Sequence, residues 1–236
     1  MRGSDFIAWD DDVDVVMPRE SFDRLRSMRA DLAEGGYCFS FPEDSGLFYD
    51  FIPGFYCDDF SVKQKIVNPK GDELVKCVSP KIDIFVLDEC NGGIRHRMTC
   101  WRLISKYLLA RGHRETKVKL DIKTAPVLRP LLSLIAKMFE VIGSHRKYVR
   151  IMKEYESIGR KGDGKGFTRV FLSNDQPWYL YRTFRRDCYE KSTDGVIRDR
   201  VFSIPVGFDE ILTCLYGDYT VEDSAEHRRP AHYLIE

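Results

Sequence analysis

The sequence predicts an α+β fold: a small mixed β-sheet that carries acidic residues, with helices before and after it. Three observations predict it. Near the N-terminus an alternating acidic and apolar run, Asp12-Val13-Asp14-Val15, leads straight into residues spaced as an amphipathic helix. A second apolar strand, Pro80 to Asp88, carries an acid, Asp83, in its middle. From Gly93 to Ile158 the chain is helical in pattern and basic.

With 236 residues, 43% hydrophobic and 13% aromatic, the chain suits one large domain with a substantial core. Its 37 basic and 37 acidic residues cancel, which argues against bulk electrostatic binding of nucleic acid. The seven cysteines are scattered without a C-x-x-C pair. They read as reduced thiols of a cytoplasmic protein, with neither a disulfide framework nor a zinc site. Met1-Arg2-Gly3-Ser4 leads directly into the acidic stretch, so no signal peptide is expected. The longest apolar run, Leu131 to Gly143, contains Lys137 and Glu140 and falls short of the roughly 20 residues that span a bilayer.

The opening stretch, Phe6 to Met17, holds Asp10, Asp11, Asp12 and Asp14 between apolar flanks. Side chains two apart on a strand share a face, so Asp12 and Asp14 project together while Val13 and Val15 turn into the core. Three readings are open. The first is an acidic turn before a strand. The second, an EF-hand, fails because Val15 and Ser21 stand where that loop needs Gly and Glu. The third is a metal site completed by a carboxylate from elsewhere.

Pro18 and Glu20 suit a helix start, Phe22, Leu25, Met28 and Leu32 recur at helical spacing, and Gly35-Gly36 ends the helix. Tyr37–Phe41, Leu47–Ile52 and Phe60–Val67 read as strands, with a turn at Pro69–Asp72. The Pro80–Asp88 strand buries Asp83, which therefore needs a positive partner: a Lys or Arg, or a metal shared with Asp12 and Asp14. Met98–Leu109 reads as one helix and Val127–Tyr155 as one or two more. In the latter, Arg146, Lys147, Arg150 and Lys153 form a stripe that is either solvated or turned to an anionic membrane surface or phosphorylated substrate. The glycines from Gly159 to Gly166 read as a flexible surface loop, a candidate for closing over phosphate. Thr168–Leu172 and Trp178–Arg182 look like strands. Val201 to Leu212 reads as strand, turn and a short helix capped by Asp209 that ends near Tyr216-Gly217. The expected division is an acidic-sheet core (1–92), a helical basic part (93–158), the loop (159–167) and a C-terminal sheet and helix (168–236).

Several of these segments together resemble the LicD family of phosphotransferases, related to the fukutin-type proteins. They are Phe6-Ile7-Ala8-Trp9-Asp10-Asp11-Asp12-Val13-Asp14-Val15, where the family usually has Pro in place of Ala8, then Met17-Pro18-Arg19 and Lys81-Ile82-Asp83-Ile84-Phe85. The last are Ile204 to Leu212 and Leu215-Tyr216-Gly217-Asp218-Tyr219. The resemblance covers nearly the whole chain. It departs at the start, where family members carry a Gly-Thr-Leu-Leu-Gly-like segment and this sequence has only Arg2-Gly3-Ser4-Asp5, so that Gly-rich segment is expected to be lacking.

The resemblance implies a nucleotidyltransferase-like sheet. It also implies Mg²⁺- or Mn²⁺-dependent transfer of a phosphoryl-alcohol group, such as phosphocholine, from a CDP-alcohol to a sugar or glycan hydroxyl, lipid-linked acceptors included. Asp12 and Asp14 would hold the metal, with Asp83 as a third ligand or as general base and Asp10 as an outer candidate. Arg19 and Arg182 are candidate phosphate contacts. Two alternatives stay open: an Asp-x-Asp glycosyltransferase using a nucleotide-sugar, and a non-catalytic relative that binds nucleotide or glycan. A cytoplasmic site of action, with peripheral membrane contact, follows from the same reading.

Overall fold

The computed structural model describes residues 13–41, 52–56, 62–67, 73–112, 145–162, 164–175, 179–221 and 232–233. Among these the elements run in the order β1 (Val13–Pro18), α1 (Arg19–Ser27), α2 (Arg29–Glu34), β2 (Cys38–Ser40), β3 (Gly54–Tyr56), β4 (Val62–Val67), β5 (Glu73–Val78) and β6 (Lys81–Cys90). Then come α3 (Ile94–Gly112), α4 (His145–Gly162), β7 (Arg169–Leu172), β8 (Phe184–Arg185), α5 (Asp187–Glu190), β9 (Ser192–Ile197), β10 (Arg200–Pro205), α6 (Phe208–Tyr216) and β11 (His232–Tyr233). The class is α+β, as expected.

The main sheet is built around β6. In the order β2-β3-β6-β7-β8 its neighbours run antiparallel, while β1 joins β6 in parallel, which makes the sheet mixed. β3 and β7 pair with opposite ends of β6. The gap between them is closed by the side chain of Asn174, which accepts from Val86 N–H at 2.6 Å and donates to the Ile84 carbonyl at 2.8 Å. A carboxamide carries one donor and one acceptor side by side, so it substitutes for a peptide unit where no strand lies.

Strand alternation divides β6 into two faces. Ile84, Val86, Asp88 and Cys90 are buried on one face. Ile84 and Val86 pack with Phe22 of α1 and with Phe39 and Phe41, joined by Met17, Leu25, Leu32 and Phe55. Further along the same face, Phe171 meets His96 of α3 edge to face at 4.7 Å. The other face carries Lys81, Asp83, Phe85, Leu87 and Glu89. Near β7 it is covered by a second cluster in which Val170, Phe184, Cys188 of α5 and Ile211 of α6 enclose Leu87 and Leu172.

Several expectations change. The helix predicted from Phe22 to Leu32 is broken at Met28 into α1 and α2, and the Ser27 hydroxyl turns back to donate to the Arg24 carbonyl at 2.7 Å. Val13 and Val15 share the Ile84 face through their register with Ile82 and Ile84, yet they are 50% and 37% exposed, and among the described residues β1 pairs with β6 alone. The expected flexible loop begins too early. Gly159 to Gly162 form the last turn of α4 and press on β6, where a Cβ on Gly162 would lie 1.7 Å from the Glu89 carbonyl oxygen. Gly164 and Gly166, both at positive φ, make the bend that follows. Tyr179–Arg182 is a turn rather than a strand, with Arg182 N–H bonded to the Tyr179 carbonyl at 2.8 Å. Gly207, not Asp209, stands at the N-cap of α6. Asp209 lies in the first turn and accepts from the Tyr219 hydroxyl at 2.5 Å. The predicted strand Leu47–Ile52, the turn Pro69–Asp72 and Trp178 lie outside the described residues, apart from Ile52, which precedes β3.

The described cysteines, Cys38, Cys90, Cys100, Cys188 and Cys214, are free thiols. Burial pushes Cys90 up to about 11 and Cys100 up to about 12, so both stay protonated and unreactive at neutral pH. Burial also lowers the pKa of His96, although the hydrogen bond from its Nε2 to the Leu180 carbonyl, at 3.0 Å, partly opposes this. As pH falls, the unfolded chain therefore takes up this proton before the folded one does. Stability is full above the ordinary histidine value near 6.5 and is lost as pH drops through the window beneath it. Urea unfolding of the native protein should show this loss setting in as pH falls below about 6.5, and the slope should be shallower in His96→Gln.

Candidate active site

β1 and β6 bring two of the predicted carboxylates together. In their parallel ladder Asp14 is the register partner of Asp83, Val16 of Phe85 and Pro18 of Leu87. Register partners on adjacent strands point to the same face, and the strands lie about 4.8 Å apart. Asp14 and Asp83 therefore stand side by side on the face opposite the buried Ile84 and Val86. This end of the face is open among the described residues: Asp14 and Val16 are exposed, and the Asp83 side chain keeps 24% of its accessibility. Two carboxylates on neighbouring rungs repel one another. A hard cation between them turns that cost into a ligand set.

Asp83 also has a protein partner, as one of the two sequence readings expected. Lys81, two positions earlier and on the same face, places its Nζ 2.8 Å from Asp83 Oδ1 and donates to the Ile52 carbonyl at 2.7 Å. The lysine stem crosses over Gly54, which stands opposite Asp83 in the β3–β6 ladder; a Cβ there would lie 2.5 Å from Lys81 Cε. A side chain at position 54 would push the ammonium away from the acid. Neither Gly54 nor Asn174 is marked in the sequence by anything beyond its residue type.

Asp10 and Asp12 lie outside the described residues. Among the described residues no group of three or more His, Cys, Asp or Glu side chains is clustered as a metal site; Asp14 and Asp83 form a pair.

Arg19 is not a phosphate contact. It is 5% exposed, and its Nε and Nη2 donate to the two carboxylate oxygens of Asp88 at 2.9 and 2.5 Å, with a further bond from Nη2 to Ser173 Oγ at 3.0 Å. Its place follows from alternation. Asp14 and Arg19 are five residues apart, an odd number, so the arginine at the head of α1 reaches the buried face while the aspartate occupies the open one. Asp88 sits five residues beyond Asp83 and is likewise on the buried face, 2% exposed. Arg182 stacks its guanidinium 4.1 Å over the ring of Tyr179, in a turn tied to α3 where the Leu180 carbonyl accepts from His96. The basic stripe of α4 is helical, but Arg146, Lys147 and Arg150 are not among the described side chains. Among the described residues no helix is long and apolar enough to cross a membrane.

What the fold and site define is an α+β protein presenting paired carboxylates from adjacent parallel strands on a sheet face that is open among the described residues. Over 238 aligned positions the chain is 26% identical to the lipopolysaccharide cholinephosphotransferase LicD of Haemophilus influenzae, covering 98% of this chain and 82% of that protein. It is thus a distant homologue of a cholinephosphotransferase. No protein-family model matches the chain, and no solved structure matches it.

Breaking a buried ion pair strands a charge away from water and costs about 3–5 kcal/mol. Arg19→Met should accordingly lower the unfolding free energy by about 3–5 kcal/mol in urea titration, far more than Arg185→Met, whose partner Asp187 lies at the surface.

Proposed function

We propose that this chain is a transferase of LicD type, moving a phosphoryl-alcohol group such as phosphocholine from a CDP-linked donor to a hydroxyl of a lipopolysaccharide-type glycan or its precursor. The register pairing of Asp14 with Asp83 on an open face carries the reading, and the chain-long similarity to a cholinephosphotransferase supports it.

The donor atoms fit the cation this chemistry uses. Asp14 and Asp83 offer carboxylate oxygens, the hard ligands that Mg²⁺ and Mn²⁺ prefer, and they do so from two strands held in one ladder. Asp14 and Asp83 are the proposed ligands, with Asp12 and Asp10 as further ligands from the preceding run. Bound there, Mg²⁺ would neutralise charge building on the donor diphosphate and align it with the acceptor. The Lys81 ammonium, 2.8 Å from Asp83 Oδ1, would add positive charge beside bound phosphates. It takes the part first assigned to Arg19, on the correct face of the sheet. Among the described residues the Asp14 end of the face is open to a glycan, while the cluster around Ile211 walls the other end. The nucleotidyltransferase-like character of the sheet belongs to this proposal too, as does action at the cytoplasmic side of a membrane.

Incubation with Mg²⁺ and a panel of CDP-alcohols and nucleotide-sugars tests the assignment. CDP-choline or a related CDP-alcohol should be consumed and nucleotide-sugars left intact. Asp14→Asn and Asp83→Asn should each cut turnover by roughly 100-fold or more, the scale of losing one preorganised electrostatic group. Undiminished turnover in either variant, or turnover of a nucleotide-sugar instead, would refute it.

A further inference from the structure

We infer that the buried Arg19–Asp88 pair is a positioning device for the acidic site: it sets the register of β1 against β6 and so keeps Asp14 beside Asp83. The metal-binding consequence rests on the proposed function, whereas the register itself does not.

The pair continues the strand ladder. The last paired rung is Pro18 with Leu87, and Arg19 and Asp88 are the next residue on each side. Arg19 lies five positions after Asp14 (19 − 14), and Asp88 five after Asp83 (88 − 83), so the ion pair and the carboxylate pair report one and the same register.

β1 needs such a device. Among the described residues it pairs with β6 alone, and apart from Met17, which packs on the Phe22 cluster, its apolar side chains discriminate poorly between registers: Val13 and Val15 are exposed on one face and Val16, at 40%, on the other. Strands without one well-buried face are prone to slip. A slip of one residue would turn Asp14 towards the Ile84 face. A slip of two would keep its face but set it against Phe85 or Lys81.

The Arg19 site makes both slips costly. The guanidinium meets Asp88 as a two-point fork, which fixes direction as well as distance. Its third bond goes to Ser173, whose own N–H is tied to the Val86 carbonyl of β6 at 2.9 Å. α4 closes over the pair at Gly159, where a Cβ would stand 2.0 Å from Asp88 Oδ2 and 2.8 Å from Arg19 Nη2. In a slipped register the guanidinium and the carboxylate would be buried apart. A buried ion pair is a weak source of net stability compared with apolar residues of similar size, and its best-attested use is to specify register.

Cysteine cross-linking reads the register directly. Val16→Cys with Phe85→Cys reports the native rung, and Val16→Cys with Leu87→Cys reports a slip of two. Each pair would be oxidised in the otherwise native chain and in Arg19→Met/Asp88→Leu, with single-cysteine controls for the native thiols. Arg19→Lys, which keeps the charge but not the fork, serves as a second background should the double variant not fold. The native pair should cross-link efficiently in the intact chain and lose yield when the fork is removed, with the slipped pair gaining yield. Mn²⁺ titration of the same backgrounds without added cysteines should show affinity weakened about 10- to 100-fold, even where apolar replacement restores the thermal midpoint. An undiminished native cross-link without the fork overturns the inference, whatever happens to Mn²⁺. Loss of that cross-link with Mn²⁺ affinity intact overturns the link between register and site. If Asp83→Asn in the clamped protein leaves Mn²⁺ binding unchanged, the metal reading fails, and the cross-links still decide the clamp.

Discussion

The parallel ladder between β1 and β6 is the constraint on which the rest depends. It joins the N-terminal acidic run to a strand far along the chain and makes an otherwise antiparallel sheet mixed. Everything chemical on the open face inherits its geometry from that ladder. β6 can act as the axis because one of its faces is apolar enough to anchor it under α1 and α4, and because Asn174 completes its edge where β3 and β7 leave a gap.

β6 carries two acids with opposite fates, and the odd spacing between them explains why. Asp88 is buried and met by the fork of Arg19, so its charge serves packing and alignment. Asp83 is half-buried on the far face and met at one oxygen by Lys81, a compact charge on a flexible stem. On the proposed reading, the buried pair holds the strands and the Lys81–Asp83 pair stands where ligands would arrive. Separating the two roles by the thickness of one sheet lets the site stay open without loosening its frame.

Much of this was legible in the residues. Alternation at Asp12-Val13-Asp14-Val15 and around Asp83 identified both strands, and apolar spacing identified α1 through Phe22 and Leu25. The need for a cation at Asp83 was also visible, and Lys81 lies two residues away on the same face. Arg19 was misread because a basic residue beside an acidic strand looks like a phosphate contact until parity is counted. Its odd distance from Asp14 puts it on the buried side. The Gly159–Gly162 segment was misread because glycines usually mark loops. Here they end a helix that must approach β6 more closely than any Cβ permits, a long-range demand that local sequence does not record. Gly54 and Asn174 escaped notice for the same reason, since their partners, Lys81 and the edge of β6, lie far along the chain.

The most direct test of the central claim is the anomalous scattering of a crystal soaked with Mn²⁺ and CDP-choline. A peak bridging the carboxylates of Asp14 and Asp83, at roughly the 2.0–2.2 Å of oxygen coordination to small divalent ions, is the predicted result. A peak elsewhere, or none between these carboxylates while the nucleotide is bound, would contradict it.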